Sequence, residues 1–201
     1  MADTRPYKAV ITREQFWFYE MREVAKLMKE GLPDDEIIEK AQDENIFQYP
    51  TERMIKRTAA ACLRRLHGLE NMELISAVAS PSTDTAKQVC LYAYMLDSRL
   101  IWEFMITVIG NKYRLLDTSF GRIDVNTFMM RLQEQDDTVA SWSENTIQRI
   151  KQTIMRTLVE TEYIDSNKTD HLNNVLISPE LENAIREQGR TEALPAFNCF
   201  S

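Results

Sequence analysis

Four polar side chains near residue 150 are spaced so that a single helix face would carry all of them. Asn145, Arg149, Gln152 and Arg156 follow one another at intervals of four, three and four residues, which groups them on one side at about 100° per residue. Arginine reaches phosphates and guanine, and asparagine or glutamine pairs with adenine. The pattern therefore predicts a DNA-contacting face. A merely solvated helix face shows the same pattern, so both interpretations stay open.

A second basic group lies nearer the N-terminus. Residues 51–68 contain five bases and one acid, a net charge of +4, and the bases are Arg53, Lys56, Arg57, Arg64 and Arg65. The whole chain carries a net charge of −7, with ten acids and four bases in residues 14–44 alone. An acidic protein can still bind phosphates through a local basic surface. A merely solvated helix face is the alternative interpretation of this basic group as well. Together with Lys168, these residues complete the candidate DNA-binding set.

Motifs for catalysis and for nucleotide or metal binding do not occur in the sequence. It lacks G-x-G-x-x-G, G-x-x-x-x-G-K-[ST], G-x-S-x-G, H-E-x-x-H, H-x-E and P-C-x-x-C. His67, His171 and the cysteines Cys62, Cys90 and Cys199 have no zinc-site spacing. We therefore expect reduced thiols, no metal, no cofactor, no small-molecule substrate and no enzymatic activity.

The longest apolar segment is too short to cross a membrane. It covers residues 100–110 and contains Glu103, and a spanning helix needs roughly 20 apolar residues. The first ten residues, MADTRPYKAV, lack the apolar region of a secretory signal. The sequence therefore predicts a soluble, cytoplasmic protein that makes no membrane contact.

The first third of the chain shows the periodicity of successive helices. A helix is predicted over 12–30, capped by Thr12 and ended by Gly31. Pro33 opens a short helix, and a basic helix follows over 51–68. The inward stripe of that basic helix is Ile55, Ala59, Cys62, Leu63 and Leu66. A short helix, a turn and a longer basic helix resemble a helix-turn-helix module.

The middle of the chain is its most apolar part. A helix from Ser82 or Thr83 to Asp97 and a nearly all-apolar helix over 100–109 are predicted. A helix that is apolar on all sides belongs in a core. We therefore expect these two helices to form a buried central pair.

The C-terminal part predicts two more helices and a hairpin. One helix is capped by Asp124, and a long helix begins at Ser141 or Ser143 and ends near Glu162. The inward residues of the long helix are Ile147, Ile150, Ile154 and Leu158. The apolar pairs Tyr163-Ile164 and Leu176-Ile177 then bracket a polar loop that contains Lys168. This arrangement predicts a small β-hairpin that serves as the wing of a winged helix.

The predicted fold class is therefore mainly α and multi-helical. It combines a helix-turn-helix-like N-terminal module with a winged-helix-like C-terminal module that carries a small β-hairpin. The predicted boundaries give modules over residues 1–80, 81–122 and 123–201. One compact domain overall is the alternative.

A set of residues spread over positions 7–185 resembles the BrxA family of the BREX bacteriophage-exclusion systems. The set comprises Tyr7-Lys8-Ala9, Ile11-Thr12, Glu20, Leu27, Gly31-Leu32, Glu36-Ile37, Asn45, Gln48, Thr51, Arg57, Arg64-Arg65-Leu66, Leu91-Tyr92-Ala93, Asp97, Leu100, Glu103-Phe104, Lys112-Tyr113, Asp124 and Phe128. The resemblance implies an accessory protein that binds double-stranded DNA within a bacterial defence complex. That complex methylates self DNA and blocks phage replication, and the resemblance assigns methylation and nucleotide hydrolysis to other BREX subunits.

Two further implications of the resemblance bear on function. Members of the family have been labelled inner-membrane proteins, which disagrees with the short apolar segment of this chain. The family is also reminiscent of an all-helical transcription antitermination factor. Because of that similarity, RNA is an alternative ligand. The expected function is double-stranded DNA binding, dominated by phosphate contacts, beside other BREX subunits. The alternatives are a protein adaptor that docks on a larger BREX subunit without nucleic-acid contact, and RNA binding.

Overall fold

The computed structural model of the chain is mainly helical and describes residues 5–200. Its backbone contacts divide the chain into two compact units. The N-terminal unit is Phe16–Asp97, and the C-terminal unit is Met1–Gln15 together with Ser98–Ser201. The module boundaries at residues 80 and 122 stay predictions. No helix in the described part of the chain combines the length and hydropathy needed to cross a bilayer.

The N-terminal unit contains five helices within residues 16–97. They are α1 (Phe18–Lys29), α2 (Asp34–Asp43), α3 (Glu52–His67), α4 (Met72–Ala79) and α5 (Thr83–Asp97). The predicted helix start at Thr12 is wrong. Trp17 has a φ of 55°, which interrupts any helix, and Thr12 instead ends a short 3-10 turn, Ala9–Thr12. The φ of 85° at Gly31 agrees with its predicted position just after α1.

The pairing of α2 with the basic helix α3 is confirmed, and so is the apolar stripe of α3. Pro33 stands at the N-cap of α2, and Thr51 caps α3 by accepting the backbone N–H of Met54. All five predicted stripe residues are buried. The connection over residues 44–51 is longer than the turn of about three to four residues in a DNA-binding helix-turn-helix. Helices α2 and α3 therefore share with a DNA-binding helix-turn-helix only the order of their elements.

The C-terminal unit begins its helical part with one long, almost continuous helix. It consists of α6 (Arg99–Phe104), a π-helical segment (Met105–Gly110) and α7 (Asn111–Arg114). The predicted apolar helix over 100–109 is present but only partly buried: Leu100, Ile101 and Phe104 are buried, whereas Trp102 and Val108 are half-buried. The remaining elements are α8 (Arg122–Gln135), α9 (Asp137–Ala140), α10 (Glu144–Glu160), α11 (Pro179–Glu187) and a 3-10 turn (Thr191–Phe197).

The caps of α8 and α10 differ in how well they were predicted. Gly121 is the N-cap of α8, and Asp124 is its third residue, where the carboxylate accepts the backbone N–H of Gly121 at 2.8 Å. The prediction that Asp124 is the cap is therefore wrong by three residues. Ser143 caps α10 and accepts the backbone N–H of Thr146. This decides between the two predicted starts of the long helix.

The predicted β-hairpin and winged helix are wrong, because residues 5–200 contain no strand. The loop after α10 pairs instead with the segment before α8. The Leu172 N–H donates to the Thr118 carbonyl at 2.7 Å, and Phe120 donates to the Asp170 carbonyl at 3.0 Å. Tyr163 is buried and donates its hydroxyl hydrogen to the carbonyl of Ala196. The first predicted arm is thus part of the core, and the loop has a different backbone partner.

Candidate nucleic-acid interface

The long helix α10 presents the predicted polar face to solvent. Asn145, Arg149, Gln152 and Arg156 are all exposed. The four inward residues, Ile147, Ile150, Ile154 and Leu158, are buried against the C-terminal unit. The amphipathic geometry predicted for this helix is therefore confirmed, and the four polar side chains share one surface.

Arg156 is oriented by a residue far away in the sequence. Its guanidinium Nη1 donates to the Oε1 atom of Gln15 at 2.7 Å. The 3-10 turn Ala9–Thr12 packs on α10 and brings Gln15 to this position. A neutral amide partner fixes the guanidinium without cancelling its charge, so Arg156 keeps its attraction for anions.

A cleft of about 500 Å³ opens beside this face, between α8, α10 and the loop that follows α10. We call it the amide cleft. Its polar lining consists of three cations, Arg122, Lys151 and Arg156, and four amide side chains, Asn126, Gln148, Gln152 and Asn167. Val125 and Met155 form its apolar part. The lining contains no carboxylate, although the chain as a whole is acidic.

Besides Gln152 and Arg156, the amide cleft contains polar residues that the sequence pattern did not select. Asn126 lies one helical turn beyond Arg122 on α8, and Gln148 and Lys151 lie three residues apart on α10. These spacings are compatible with shared faces. The sequence did not reveal that α8 and α10 pack with those faces toward the same opening, because that depends on tertiary packing.

The cations of this region are not neutralised by neighbouring acids. Within residues 5–200, the side chains of Arg122, Arg149 and Lys151 make no ion pair. Lys168 is exposed in the loop, directly after the cleft residue Asn167. These cations therefore have no carboxylate of the described residues bound to them and are available for contact with phosphates.

The basic residues of α3 have a different electrostatic environment. Arg53, Lys56 and Arg57 are exposed as predicted. Lys56, however, borders a surface depression whose acidic residues are Asp35, Glu39, Asp43 and Glu52. These carboxylates offset the charge of α3 and repel phosphates, so the α3 surface is the weaker candidate for DNA.

The last turn of α3 makes side-chain contacts with carboxylates of the same unit. Arg64 binds both carboxylate oxygens of Asp97, at 2.8 and 3.0 Å. His67 lies 2.9 Å from the carboxylate of Asp34. Arg64 remains half-exposed, but its fork of donors already has a carboxylate partner.

Arg65 is buried, and its predicted place on a DNA-binding surface is corrected. Its relative exposure is 1%. The guanidinium lies 4.2 Å from the ring centre of Tyr94 and 5.3 Å from that of Trp17. Its Nε donates to Asp97 at 3.2 Å, and its Nη1 donates to the Phe16 carbonyl at 3.4 Å. Arg65 therefore stabilises the core of the N-terminal unit and cannot reach a duplex.

Asp97 has a perturbed pKa because two arginines contact it. Burial raises the pKa of this carboxyl, but the hydrogen bond from Arg64 and the charge of Arg65 outweigh burial and lower the pKa below its usual value. Asp97 is therefore ionised in the folded protein at neutral pH. The cluster formed by Arg64, Arg65 and Asp97 is structural.

The three cysteines are free thiols in the described residues. No disulfide joins Cys62, Cys90 and Cys199, and burial raises the pKa of the Cys90 thiol. Among residues 5–200, no group of three or more His, Cys, Asp or Glu side chains is placed to hold a metal ion. The amide cleft and the adjoining face of α10 are thus the leading candidate site.

The fold and the site define a mainly helical protein with a cation-rich cleft beside an exposed polar helix face. The profile of the BrxA family matches residues 5–189. The chain therefore belongs to the BrxA family, which confirms the resemblance found in its sequence.

Individual relatives agree with this assignment. The chain is 33% identical over 190 residues to a Bacillus cereus protein named "BREX protein BrxA", and the alignment covers 94% of both chains. A Paramagnetospirillum magneticum protein of the same name is 28% identical over 187 residues, or 93% of both chains. A crystal structure of an uncharacterized protein from Magnetospirillum magneticum superimposes with a TM-score of 0.80 at 25% identity, covering 96% of this chain and 98% of the other.

Proposed function

We propose that this protein is a non-enzymatic accessory component of a BREX phage-defence system that binds double-stranded DNA mainly through phosphate contacts. The observation that carries the DNA-binding part is the grouping of Arg149 with the cations of the amide cleft, where no carboxylate lines the opening. Family membership supports the BREX part. Other BREX subunits would be its protein partners, in the cytoplasm.

The surface of α10 supports this function better than that of α3. Its arginines and amides are exposed on one face, and arginine and amide side chains contact both phosphates and base edges. On α3, by contrast, acidic neighbours surround Lys56, and Arg64 and Arg65 hold Asp97. We therefore assign the principal DNA contact to Asn145, Arg149, Gln152 and Arg156, with Lys168 beside them.

Fluorescence anisotropy with a short random-sequence duplex, repeated across a salt series, tests this proposal. Each phosphate contact contributes a slope of about −0.9 to the plot of log affinity against log salt concentration. Changing Arg149→Gln should weaken binding and make the slope shallower by about 0.9. Lys29→Gln, which removes an exposed charge from α1, is the matched control and should leave the slope unchanged.

Two results would contradict the proposal. If the wild-type protein binds no duplex at low salt, the proposed DNA-binding function is wrong. If the double change Arg149→Glu and Arg156→Glu leaves affinity unaltered, α10 is not the contact surface. The equivalent changes Arg53→Glu and Arg57→Glu then test whether α3 is the surface instead.

A protein adaptor is the second candidate function, and one observation favours it. Several large apolar side chains of the C-terminal unit are exposed, among them Leu115, Leu116 and Ile123, with exposures of 76%, 89% and 72%. Leu115 and Ile123 border a depression of about 340 Å³. Exposed apolar clusters of this kind often mark protein contacts.

Binding by the isolated protein separates the two candidates. An adaptor would bind a purified BREX subunit and leave the duplex free, and Leu115→Asp would then abolish its binding. RNA binding, the remaining alternative, would appear as stronger competition by structured RNA than by unlabelled duplex DNA. Either result would replace double-stranded DNA as the proposed partner.

A further inference from the structure

We propose that the amide cleft binds a single nucleotide unit, with the phosphate on its cations and the base on its amides. The source of that unit is either a free mononucleotide or an unpaired nucleotide at the end of a DNA strand. This inference rests on the proposed function, because it names the part of a nucleic acid that enters this site. It goes beyond that function, since a duplex contact requires only an exposed face.

The size of the cleft exceeds what a phosphate group alone would need. Its volume of about 500 Å³ falls in the range of roughly 300–1,000 Å³ that is typical of small-molecule sites. A cleft this large has room for a sugar and a base beside the phosphate. A protein surface that contacts only the phosphates of a duplex, in contrast, needs no cavity of this volume.

The charges in the cleft favour the phosphate end of a nucleotide. Arg122, Lys151 and Arg156 come from two helices and converge on one opening without a lining carboxylate. Gln15 holds the guanidinium of Arg156 at 2.7 Å, so this donor is positioned before any ligand arrives. A preorganised cation loses less conformational freedom on binding than a mobile one.

The remaining lining suits a nucleobase. Each of the four amides offers a donor and an acceptor, the two functions that base edges present. Val125 and Met155 are almost fully buried, with exposures of 1% and 6%, and they supply apolar atoms beneath these polar groups. The cleft therefore combines cations for a phosphate with amides for a base edge, above an apolar floor.

Isothermal titration calorimetry with the full-length protein tests the inference. The probes are the four 2′-deoxynucleoside 5′-monophosphates, the corresponding deoxynucleosides and inorganic phosphate. We expect at least one monophosphate to bind about tenfold more tightly than inorganic phosphate, because base contacts add to phosphate contacts. The deoxynucleosides should bind no better than phosphate does.

Neutral, bulky substitutions then locate the site. Asn126→Phe fills the cleft without changing charge and should lower nucleotide affinity about tenfold or more, since the base loses its space. Asn183→Phe, the same substitution at an exposed position of α11 outside the cleft lining and outside the proposed DNA contact, is the matched control. Gln148→Phe is the second cleft variant if Asn126→Phe lowers the unfolding temperature.

Duplexes with different ends distinguish the two sources. A blunt duplex with 5′-hydroxyl ends is compared with one that carries a single 5′-phosphorylated overhanging nucleotide. If Asn126→Phe abolishes a preference for the overhang, the strand end is a source, and if it abolishes mononucleotide binding, the free nucleotide is a source. Absence of both effects overturns the inference, as does equal affinity for inorganic phosphate and mononucleotides.

The failure of this inference is distinguishable from failure of the proposed function. Gln152 and Arg156 belong to both the proposed duplex contact and the cleft, whereas Arg149 lies outside the cleft lining and Asn126 outside the duplex contact. Arg149→Gln therefore tests the duplex contact, and Asn126→Phe tests the cleft. A protein that binds this duplex but no nucleotide unit keeps the proposed function and loses the cleft site. A protein that binds mononucleotides but no duplex keeps the cleft site and loses the proposed function.

Discussion

Arg64 and Arg65 are adjacent in the sequence, yet their side chains have opposite surroundings. Arg64 is half-exposed, whereas the Arg65 side chain is fully buried between two aromatic rings. Changing Arg65→Ala should destabilise the protein by about 3–5 kcal/mol, because Asp97 would lose its buried partner. Arg64→Ala should cost about 1 kcal/mol or less, since solvent screens that pair. Urea unfolding curves of both variants measure the difference.

Equal destabilisation by the two changes would show that the buried guanidinium of Arg65 stabilises the protein no more than the half-exposed one of Arg64. DNA affinity offers an independent reading at a temperature where both variants are folded. Because Arg65 cannot reach a duplex, Arg65→Ala should leave that affinity unchanged.

Asp97 should make the stability of the protein depend on pH. Its pKa is lower in the folded state than in the unfolded chain, so the folded state binds fewer protons near the unfolded value of about 3.9. The stabilisation is therefore complete above that unfolded pKa and is lost as the pH falls toward the folded value. Urea unfolding at pH 7, 5 and 3 measures it, with Asp97→Asn as the comparison. If the variant retains the same loss between pH 5 and 3, other carboxyl groups are responsible.

Among the elements, the π-helical segment depends on one close backbone contact. A Cβ atom on Gly110 would lie 2.9 Å from the Cβ and 3.1 Å from the carbonyl carbon of Pro195. Pro195 lies within the 3-10 turn Thr191–Phe197 and its backbone is part of the contact, so Gly110→Ala forces backbone movement and should cost about 1–3 kcal/mol. Thermal and urea unfolding of the variant measure this cost.

Gly121 provides the control for that substitution. A Cβ there meets no atom nearer than 3.7 Å, and serine is a favoured N-cap residue. We expect Gly121→Ser to change stability by less than about 0.5 kcal/mol. Similar losses for both variants would mean that the proximity of Pro195 is unimportant.

The success of sequence-based prediction differed between helices and loops for a physical reason. Helix α3 and helix α10 carry strong local signals, namely a capping Thr51 or Ser143 and apolar residues at helical spacing. The hairpin prediction failed because Tyr163 and Ile164 are buried in the core instead of forming a strand, and the loop bonds to residues 118–120. Backbone pairing of that kind depends on distant residues and leaves no local pattern.

The same distinction applies to the candidate site. The exposed face of α10 follows from helix periodicity alone, so Asn145 and Arg149 were predictable. The burial of Arg65 was not, because it results from Trp17 and Tyr94 packing on its guanidinium. The cleft partners Arg122 and Asn126 required knowledge of how α8 packs on α10.

At the scale of the whole molecule, a net charge of −7 opposes DNA binding unless acids and bases are separated. Around Lys56 they are mixed, which is why α3 is the weaker surface. Neutralising two of the neighbouring acids, Glu39→Gln with Asp43→Asn, should therefore create a second site. Two carboxylates at roughly 8 Å from a phosphate cost about 1 kcal/mol in water, so affinity at low salt should rise about fivefold.

Duplex titration by anisotropy at low and at physiological salt measures this gain. The gain should shrink at physiological salt, because the screening length is then only about 8 Å. Glu180→Gln with Glu187→Gln removes the same charge from α11, far along the sequence from α3, and controls for the change in net charge. An equal gain in the control would mean that total charge governs affinity. A gain confined to the α2 variant would mean that the local arrangement of acids around Lys56 keeps α3 from binding DNA.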